Sequence, residues 1–139
     1  MLVSRKCDYA IRALVYLAGK PVTACSSIRE ISEHEDIPRE FAAKILKGLK
    51  VAGFLRSVKG VHGGYVLSKN PEEISLYEII TAMEGPLGFN LCVTDNTGKN
   101  CPRSATCPMH TFWEVLQNDV AKVLKNQTIT PFVVQGKEP

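Results

Sequence analysis

The sequence has no long hydrophobic run and few aromatic residues. Aromatics make up 7% of its 139 residues, with a single tryptophan. The longest apolar stretch near the N-terminus, residues 10–18, is interrupted by Arg12 and is much shorter than the roughly 20 residues that a transmembrane helix needs. No secretory signal opens the chain. These absences argue against a membrane-spanning or exported protein, and we expect a cytoplasmic one.

Motifs for the common enzyme classes are also absent. The sequence contains no Cys-x-x-Cys motif, and neither GxxxxGKS/T nor GxGxxG appears. Nothing therefore indicates thiol–disulfide exchange or nucleotide binding, and no oxyanion-hole or nucleophile motif supports a Cys–His hydrolase. The five cysteines are an odd number, which favours reduced thiols over a disulfide framework. We predict that the protein is not an enzyme.

The charge of the chain is divided unevenly at Asn70 and Pro71. Residues 1–70 hold twelve Lys and Arg against six Asp and Glu, a net charge of +6, whereas residues 71–139 hold five against eight, a net charge of −3. A basic half on a chain without a membrane signal indicates a polyanionic partner, and nucleic acid is the first candidate.

The basic half is predicted to contain a helix-turn-helix. Residues 8–17 place apolar side chains on one helical face, and Ser27 and Glu30 form a capping box at the start of a short second helix. Pro38 suits the first position of a third helix, because its missing N–H would be unpaired there. The second member of such a unit lies in the DNA major groove.

The third helix separates an apolar face from a basic face. At about 100° per residue, the apolar face comprises Phe41, Ala42, Ile45, Leu46 and Leu49. The opposite face holds the basic residues Arg39, Lys44, Lys47 and Lys50. A solvated face on a core helix would give the same pattern, so the helix alone does not establish DNA contact. If it binds DNA, Arg39 near the helix start is the first candidate for base readout.

A glycine-rich hairpin follows this helix. Residues 54–58 and 65–67 are predicted as strands, and the turn between them contains three glycines, at positions 60, 63 and 64. Arg56, Lys59 and His62 make the hairpin basic. This layout is typical of a winged helix, in which the wing lies against phosphates or reaches into a minor groove. We therefore favour DNA binding over a purely structural hairpin.

The second half contains a cysteine-rich segment with little regular pattern. A capping box at Ser75 and Glu78 opens a helix that Gly85 ends, and residues 86–106 then show almost no periodicity. The potential metal ligands in and after this segment are Cys92, Cys101, Cys107 and His110. Thiolates bind iron–sulfur clusters or zinc, and unliganded thiols are the remaining alternative. Cys7 and Cys25 are predicted to be small buried hydrophobes.

The last helix is predicted over residues 108–126. Trp113, Leu116, Val120 and Val123 recur at three- and four-residue steps, with Leu124 beside them. A long seam on a domain that already has several helices favours packing against a second copy of the chain. Dimerisation also suits a helix-turn-helix protein that reads a roughly palindromic site.

Taken in order, these features resemble the IscR and NsrR family of bacterial transcription regulators. The strongest matches are the Gly-Gly-Tyr-x-Leu wing at residues 63–67 and the loop with three cysteines, which ends in Cys-Pro-Met-His at residues 107–110. The opening Asp-Tyr-Ala-Ile-Arg at residues 8–12 is also similar to the family's first helix. The resemblance covers nearly the whole chain.

The resemblance implies a mainly α fold with a small β-hairpin wing. Residues 1–70 would form the winged helix-turn-helix, and residues 71–139 would form a connecting helix, the cysteine loop and a long dimerisation helix. It further implies a homodimer that binds promoter DNA.

The resemblance also implies a two-iron or four-iron cluster in each subunit. Cys92, Cys101 and Cys107 match the family's cluster cysteines, and the fourth ligand would be His110 or Asp8 from the partner's first helix. The step from Cys92 to Cys101 is longer than the family's usual spacing, so cluster type and ligand set stay open, with His34 as an outside candidate.

The resulting hypothesis is a regulator whose DNA affinity depends on its cluster. Assembly of the cluster would hold the loop and the start of the long helix in one arrangement, and its loss, oxidation or nitrosylation would change the placement of the two recognition helices. The main alternative is a zinc-bound or thiol-switched winged-helix regulator. A third is a scaffold that has lost the cluster and acts through another protein.

Overall fold

The computed structural model describes residues 3–94 and 101–133. Within them the chain is mainly α-helical with one antiparallel hairpin, as predicted. The elements are α1 (Arg5–Ala18), α2 (Ile28–Glu35), α3 (Arg39–Val51), β1 (Leu55–Val58), β2 (Gly64–Leu67), α4 (Leu76–Glu84) and α5 (His110–Asn126). None of the helices in this part of the chain is long and apolar enough to cross a membrane.

Polar side chains begin the helices at the predicted places. The Ser75 hydroxyl accepts the N–H of Glu78, and the Glu78 carboxylate accepts the N–H of Ser75, which completes a capping box. Ser27 caps α2 in the same way, but the carboxylate of Glu30 pairs with Lys20 instead. Pro38 is the N-cap of α3 and not its first residue, so that prediction was one position early.

One hydrophobic core joins the first three helices to parts of the second half. Its members come from α1, α2, α3 and the start of β1, and they are joined by residues beside and within α4 and by Ile129, which follows α5. Fully buried aliphatic side chains each contribute about 1.5–3 kcal/mol. The largest of them here are Leu14, Ile31, Leu46, Leu49, Ile74, Ile79 and Ile129.

The segment after α5 returns to this core. The N–H of Leu76 donates to the carbonyl of Gln127 at 2.8 Å, and the N–H of Ile129 donates to the carbonyl of Ile74 at 3.0 Å. Ile129 is fully buried as a result. These bonds fix the C-terminal end of α5 to the connection that leads into α4.

The wing packs closely on the chain that precedes α2. Ser26 forms an isolated bridge with Tyr65 of β2, and their backbone hydrogen bonds measure 2.8 and 3.0 Å. A Cβ atom at Gly64 would lie 2.2 Å from the carbonyl oxygen of Ser26, and one at Gly63 would lie 2.2 Å from that of Val58. Glycine is required at both positions because the backbone passes too near for any side chain.

A second, smaller cluster connects α1 and α4 to α5. Cys7, Ile80 and Leu87 form its buried part, and Ala121 and Leu124 of α5 pack against them. Cys7 is fully buried, as predicted. Through this cluster and Ile129 the last helix is attached to the rest of the molecule.

Candidate DNA-binding surface and cysteine loop

Helix α3 presents its basic residues to solvent and its aliphatic residues to the core. The side chains of Ala42, Ile45, Leu46 and Leu49 are at most 2% exposed. The exposed side of the helix carries the four cations Arg39, Lys44, Lys47 and Lys50. The predicted separation into two faces is therefore present, and the cations are accessible to a polyanion.

Phe41 departs from the predicted pattern. Its side chain is 53% exposed, although the helical spacing assigned it to the apolar face. It lies in the first turn of α3, where its ring meets the edge of Tyr9 on α1 at a centroid distance of 6.3 Å. About half of the Phe41 side chain is therefore in solvent, and the residue does not belong to the buried core.

The wing carries the other predicted DNA contacts. Arg56, Lys59 and His62 are all exposed, and Val61 at the tip is 98% exposed. The ammonium group of Lys50 donates to the hydroxyl of Ser57 at 2.8 Å, so a hydrogen bond between exposed side chains links α3 to the wing.

Cys25 is half-buried rather than buried, contrary to the prediction. Its thiol donates to the carbonyl oxygen of His62 in the wing at 2.8 Å. The spacing of residues near α2 gave no sign of this contact, because the partner lies 37 positions further along the chain. Cys25 therefore contacts the wing and not the core.

A charged and aromatic cluster on α1 was not anticipated from the sequence. Asp8 pairs with Arg12 at 3.6 Å and with Arg5 at 3.9 Å. Both guanidinium groups lie over the ring of Tyr9, at 5.5 Å for Arg12 and 5.9 Å for Arg5. The carboxylate of Asp8 thus has cationic partners within its own chain.

The predicted metal ligands differ in their surroundings. Cys92 is 7% exposed and lies in a 3₁₀ turn, Leu91–Val93, whereas Cys101 and Cys107 are half-buried. The carbonyl of Cys107 accepts the N–H of His110 at 3.2 Å, so these two residues share one turn at the start of α5. The Nδ1 atom of His110 is buried and has no hydrogen-bond partner among the described residues.

The described residues do not bring a complete ligand set together. In residues 3–94 and 101–133, no three Cys, His, Asp or Glu side chains lie close enough to hold one metal ion. Asp8 faces its arginines, and the ring of His34 lies 4.3 Å from that of Tyr16. All five cysteines are free thiols.

Gln117 is a further residue that the sequence did not single out. Its side-chain amide bonds to backbone groups of Phe89 and Val93, on both sides of Cys92. These partners lie 28 and 24 positions away, so no local pattern distinguishes Gln117 from an exposed polar residue of α5.

Helix α5 leaves an apolar stripe uncovered. No residue of the helix is buried, and Trp113, Leu116 and Val120 of the predicted seam are only half-buried. The most exposed apolar side chains on the helix are Phe112 and Val115, each at 53%, and Val123, at 67%. Phe112, Val115 and Val123 form this apolar stripe. They lie on the side of α5 opposite Ala121 and Leu124, which pack against the cluster that includes Ile80 of α4.

Comparison with known proteins agrees with this arrangement. The profile of the Rrf2 family, described as an iron-dependent transcriptional regulator, matches residues 3–135. A helix-turn-helix-type transcriptional regulator of Aquifex aeolicus (strain VF5) is 31% identical over 135 residues, which cover 96% of this chain and 92% of the relative.

Solved structures with the same fold include the regulators IscR and CymR. IscR of T. potens superposes with a TM-score of 0.74 at 25% identity, covering 95% of this chain and 85% of that one. The oxidized form of CymR from Staphylococcus aureus gives a TM-score of 0.74 at 27% identity, covering 99% and 100%. These relatives are DNA-binding regulators and not enzymes. With the winged helix, the cysteine segment and the long last helix in place, the chain belongs to the Rrf2 family of transcriptional regulators.

Proposed function

We propose that this regulator is a homodimer whose promoter affinity is controlled by an iron–sulfur cluster bound at the cysteine loop. The observation that carries the proposal is the Nδ1 atom of His110, in the first residue of α5, which is buried and has no hydrogen-bond partner in the part of the chain that the structure describes, one turn after the free thiol of Cys107. The iron-dependent description of the family and the likeness to IscR support it.

The donor chemistry suits such a cluster. Three thiolates, from Cys92, Cys101 and Cys107, are the ligand type that iron–sulfur clusters take, and His110 or Asp8 would supply the fourth ligand. When bound, a two-iron or four-iron cluster would supply a centre that can be oxidised, nitrosylated or lost. Cys92 and Cys101 are nine positions apart in the chain, so a shared cluster would join the two ends of the segment between them.

The DNA interface would combine α3 with the wing in residues 1–70. Lys44, Lys47 and Lys50 would contact phosphates, and Arg39, at the first position of α3, would reach base edges. Arg56, Lys59 and His62 would follow the backbone at the neighbouring groove. Exposure of all seven side chains supports this assignment.

The apolar stripe of α5 would form the dimer contact in residues 71–139. Phe112, Val115 and Val123 are large apolar groups left in solvent by a helix whose other side is already packed. An isologous pairing of two copies would cover all of them. It would also set the distance between the two recognition helices, and a change at the start of α5 would alter that distance.

A thiol-switched or zinc-bound regulator is the second candidate. Two observations support the thiol-switched form: all five cysteines are free thiols, and CymR of Staphylococcus aureus, which has a solved oxidized form, covers 99% of this chain. Five free thiols suit a cytoplasmic location, where they would stay reduced until an oxidant reached them.

Anaerobic purification with metal analysis separates the two candidates. We expect iron and acid-labile sulfide with visible absorption in the wild type and in Cys25→Ser, and loss of both in Cys92→Ser. Colourless protein containing stoichiometric zinc, or no metal at all, would contradict cluster control. Such a result would not contradict DNA binding. Without any metal, thiol oxidation would become the favoured mode of control.

A further inference from the structure

The segment that carries Cys92 is a compact turn with its own internal bonds. The Thr94 hydroxyl donates to the carbonyl of Asn90 at 2.9 Å, and the Asn90 side chain accepts the N–H of Leu91 at 2.8 Å. A Cβ at Gly88 would lie 2.5 Å from the Thr94 hydroxyl oxygen, so the two ends of the turn touch. The segment is therefore one compact piece of the chain held together by its own contacts.

Gln117 joins this piece to α5 through both functions of one amide. Its carbonyl oxygen accepts the N–H of Phe89 at 3.3 Å, and its NH₂ group donates to the carbonyl of Val93 at 2.5 Å. The two backbone groups flank Cys92 on either side.

This attachment is polar and reversible, unlike the packing elsewhere on α5. Each hydrogen bond of this kind contributes a net stabilisation of about 1 kcal/mol, which thermal opening can overcome. No residue of α5 is buried, and the two of its residues that pack against the cluster of Cys7, Ile80 and Leu87, namely Ala121 and Leu124, lie in its C-terminal half. The contacts of Gln117 therefore matter more to its position than a single amide would in a packed core.

We propose that Gln117 is a positioning residue that latches the Cys92 segment to α5 and thereby couples the state of the cysteine loop to the dimer helix. The latch itself needs neither cofactor nor DNA. Its consequence for DNA affinity rests on the proposed function.

The latch is tested by the rate at which Cys92 is alkylated in the metal-free, reduced chain. Tryptic cleavage places Cys92 alone among the cysteines in residues 70–99, so peptide mass spectrometry reads it separately. Gln117→Met keeps the length of the side chain but cannot form either bond, and we expect labelling about tenfold faster than in wild type. The neighbouring exposed residue gives the matched control, Asn118→Ala, which should label at the wild-type rate.

A second variant and the labelling of Cys7 distinguish the loss of the Gln117 hydrogen bonds from a general loss of folding. Gln117→Glu still accepts from Phe89 but places a carboxylate against the carbonyl of Val93, and labelling should again rise. Unchanged labelling of Cys92 in both variants would overturn the latch. So would an equal rise at Cys7, because that residue is buried in the cluster beneath α1 and its exposure reports general unfolding.

The coupling is tested by operator affinity. In Gln117→Met, the difference in affinity between the cluster-loaded and cluster-free forms should shrink relative to wild type, and an undiminished difference would overturn the coupling. If wild type shows no difference at all, the proposed function fails while the labelling result stands, so the two failures are distinguishable.

Discussion

Two cysteines of this chain show how position sets the chemistry of a thiol. Burial, with the negative charges of Glu84 and Asp8, raises the pKa of Cys7 from 9.0 to about 11. Cys25 is half-buried and bonded to the carbonyl of His62 in the wing. Both were predicted from the sequence to be buried. The prediction is confirmed only for Cys7, which lies in α1 among other core residues.

The raised pKa of Cys7 predicts a pH-dependent loss of stability. The folded chain holds the thiol proton more tightly than the unfolded chain, so this contribution is complete below pH 9 and is lost as the pH rises from about 9 to about 11. We expect the Tm of wild type to fall more over this range than that of Cys7→Ala. Parallel curves of Tm against pH for the two proteins would show that folding does not raise the pKa of Cys7.

Lys47 tests the assignment of the basic side of α3. Lys47→Ala should weaken binding to every duplex and lower the slope of log affinity against log salt by about one, since one phosphate contact is removed. Lys122→Ala, which removes the same charge from an exposed position on α5, is the control and should leave the slope unchanged. Equal slopes for wild type and Lys47→Ala would remove this residue from the interface.

At the scale of elements, capping residues and glycines in the sequence predicted where helices begin and end. Contacts between distant positions could not be predicted in this way. Ser27, Ser75 and Gly85 mark helix ends because they satisfy backbone groups within a few positions. The return of Ile129 to the core and the bonds of Gln117 join positions far apart in the chain. The exposure of Phe41 is likewise not visible in the local sequence, because it depends on how much of the first turn of α3 is covered by α1.

Two glycines, one in the wing and one in α3, give substitutions with opposite expected effects on stability. Gly64→Ala forces a Cβ to within 2.2 Å of the Ser26 carbonyl, so the wing must shift, and we expect a loss of about 2 kcal/mol and weaker DNA binding. Gly48→Ala in α3 meets only the end of Met83 at 3.9 Å and should stabilise the helix by about 0.5–1 kcal/mol. Chemical denaturation measures both, and a neutral Gly64→Ala would contradict the close packing of the wing.

At the scale of the whole molecule, the fold follows from the sequence but the assembly of the site does not. The order of elements could be predicted because each has a local signature. Whether the three thiols converge on one centre depends on contacts between positions far apart in the chain, and no local pattern in the residues records such contacts.

The proposed dimer contact gives a direct prediction for α5. Val123→Glu places a charge in the apolar stripe, where pairing of two copies would bury it, and should shift the protein toward monomers in sedimentation experiments. The exposed Lys122→Glu control should stay dimeric. A wild-type chain that is monomeric at micromolar concentration would contradict the homodimer, and a dimeric Val123→Glu would place the contact elsewhere.

The central claim is that the state of the cysteine loop sets DNA affinity. Its most direct test is the affinity of the anaerobic, cluster-loaded protein and of the same protein after removal of the cluster, on one duplex selected from a random-sequence pool. We predict that the two affinities differ by about tenfold or more, a typical size for coupling between distant sites. Equal affinities in the two forms would contradict the account.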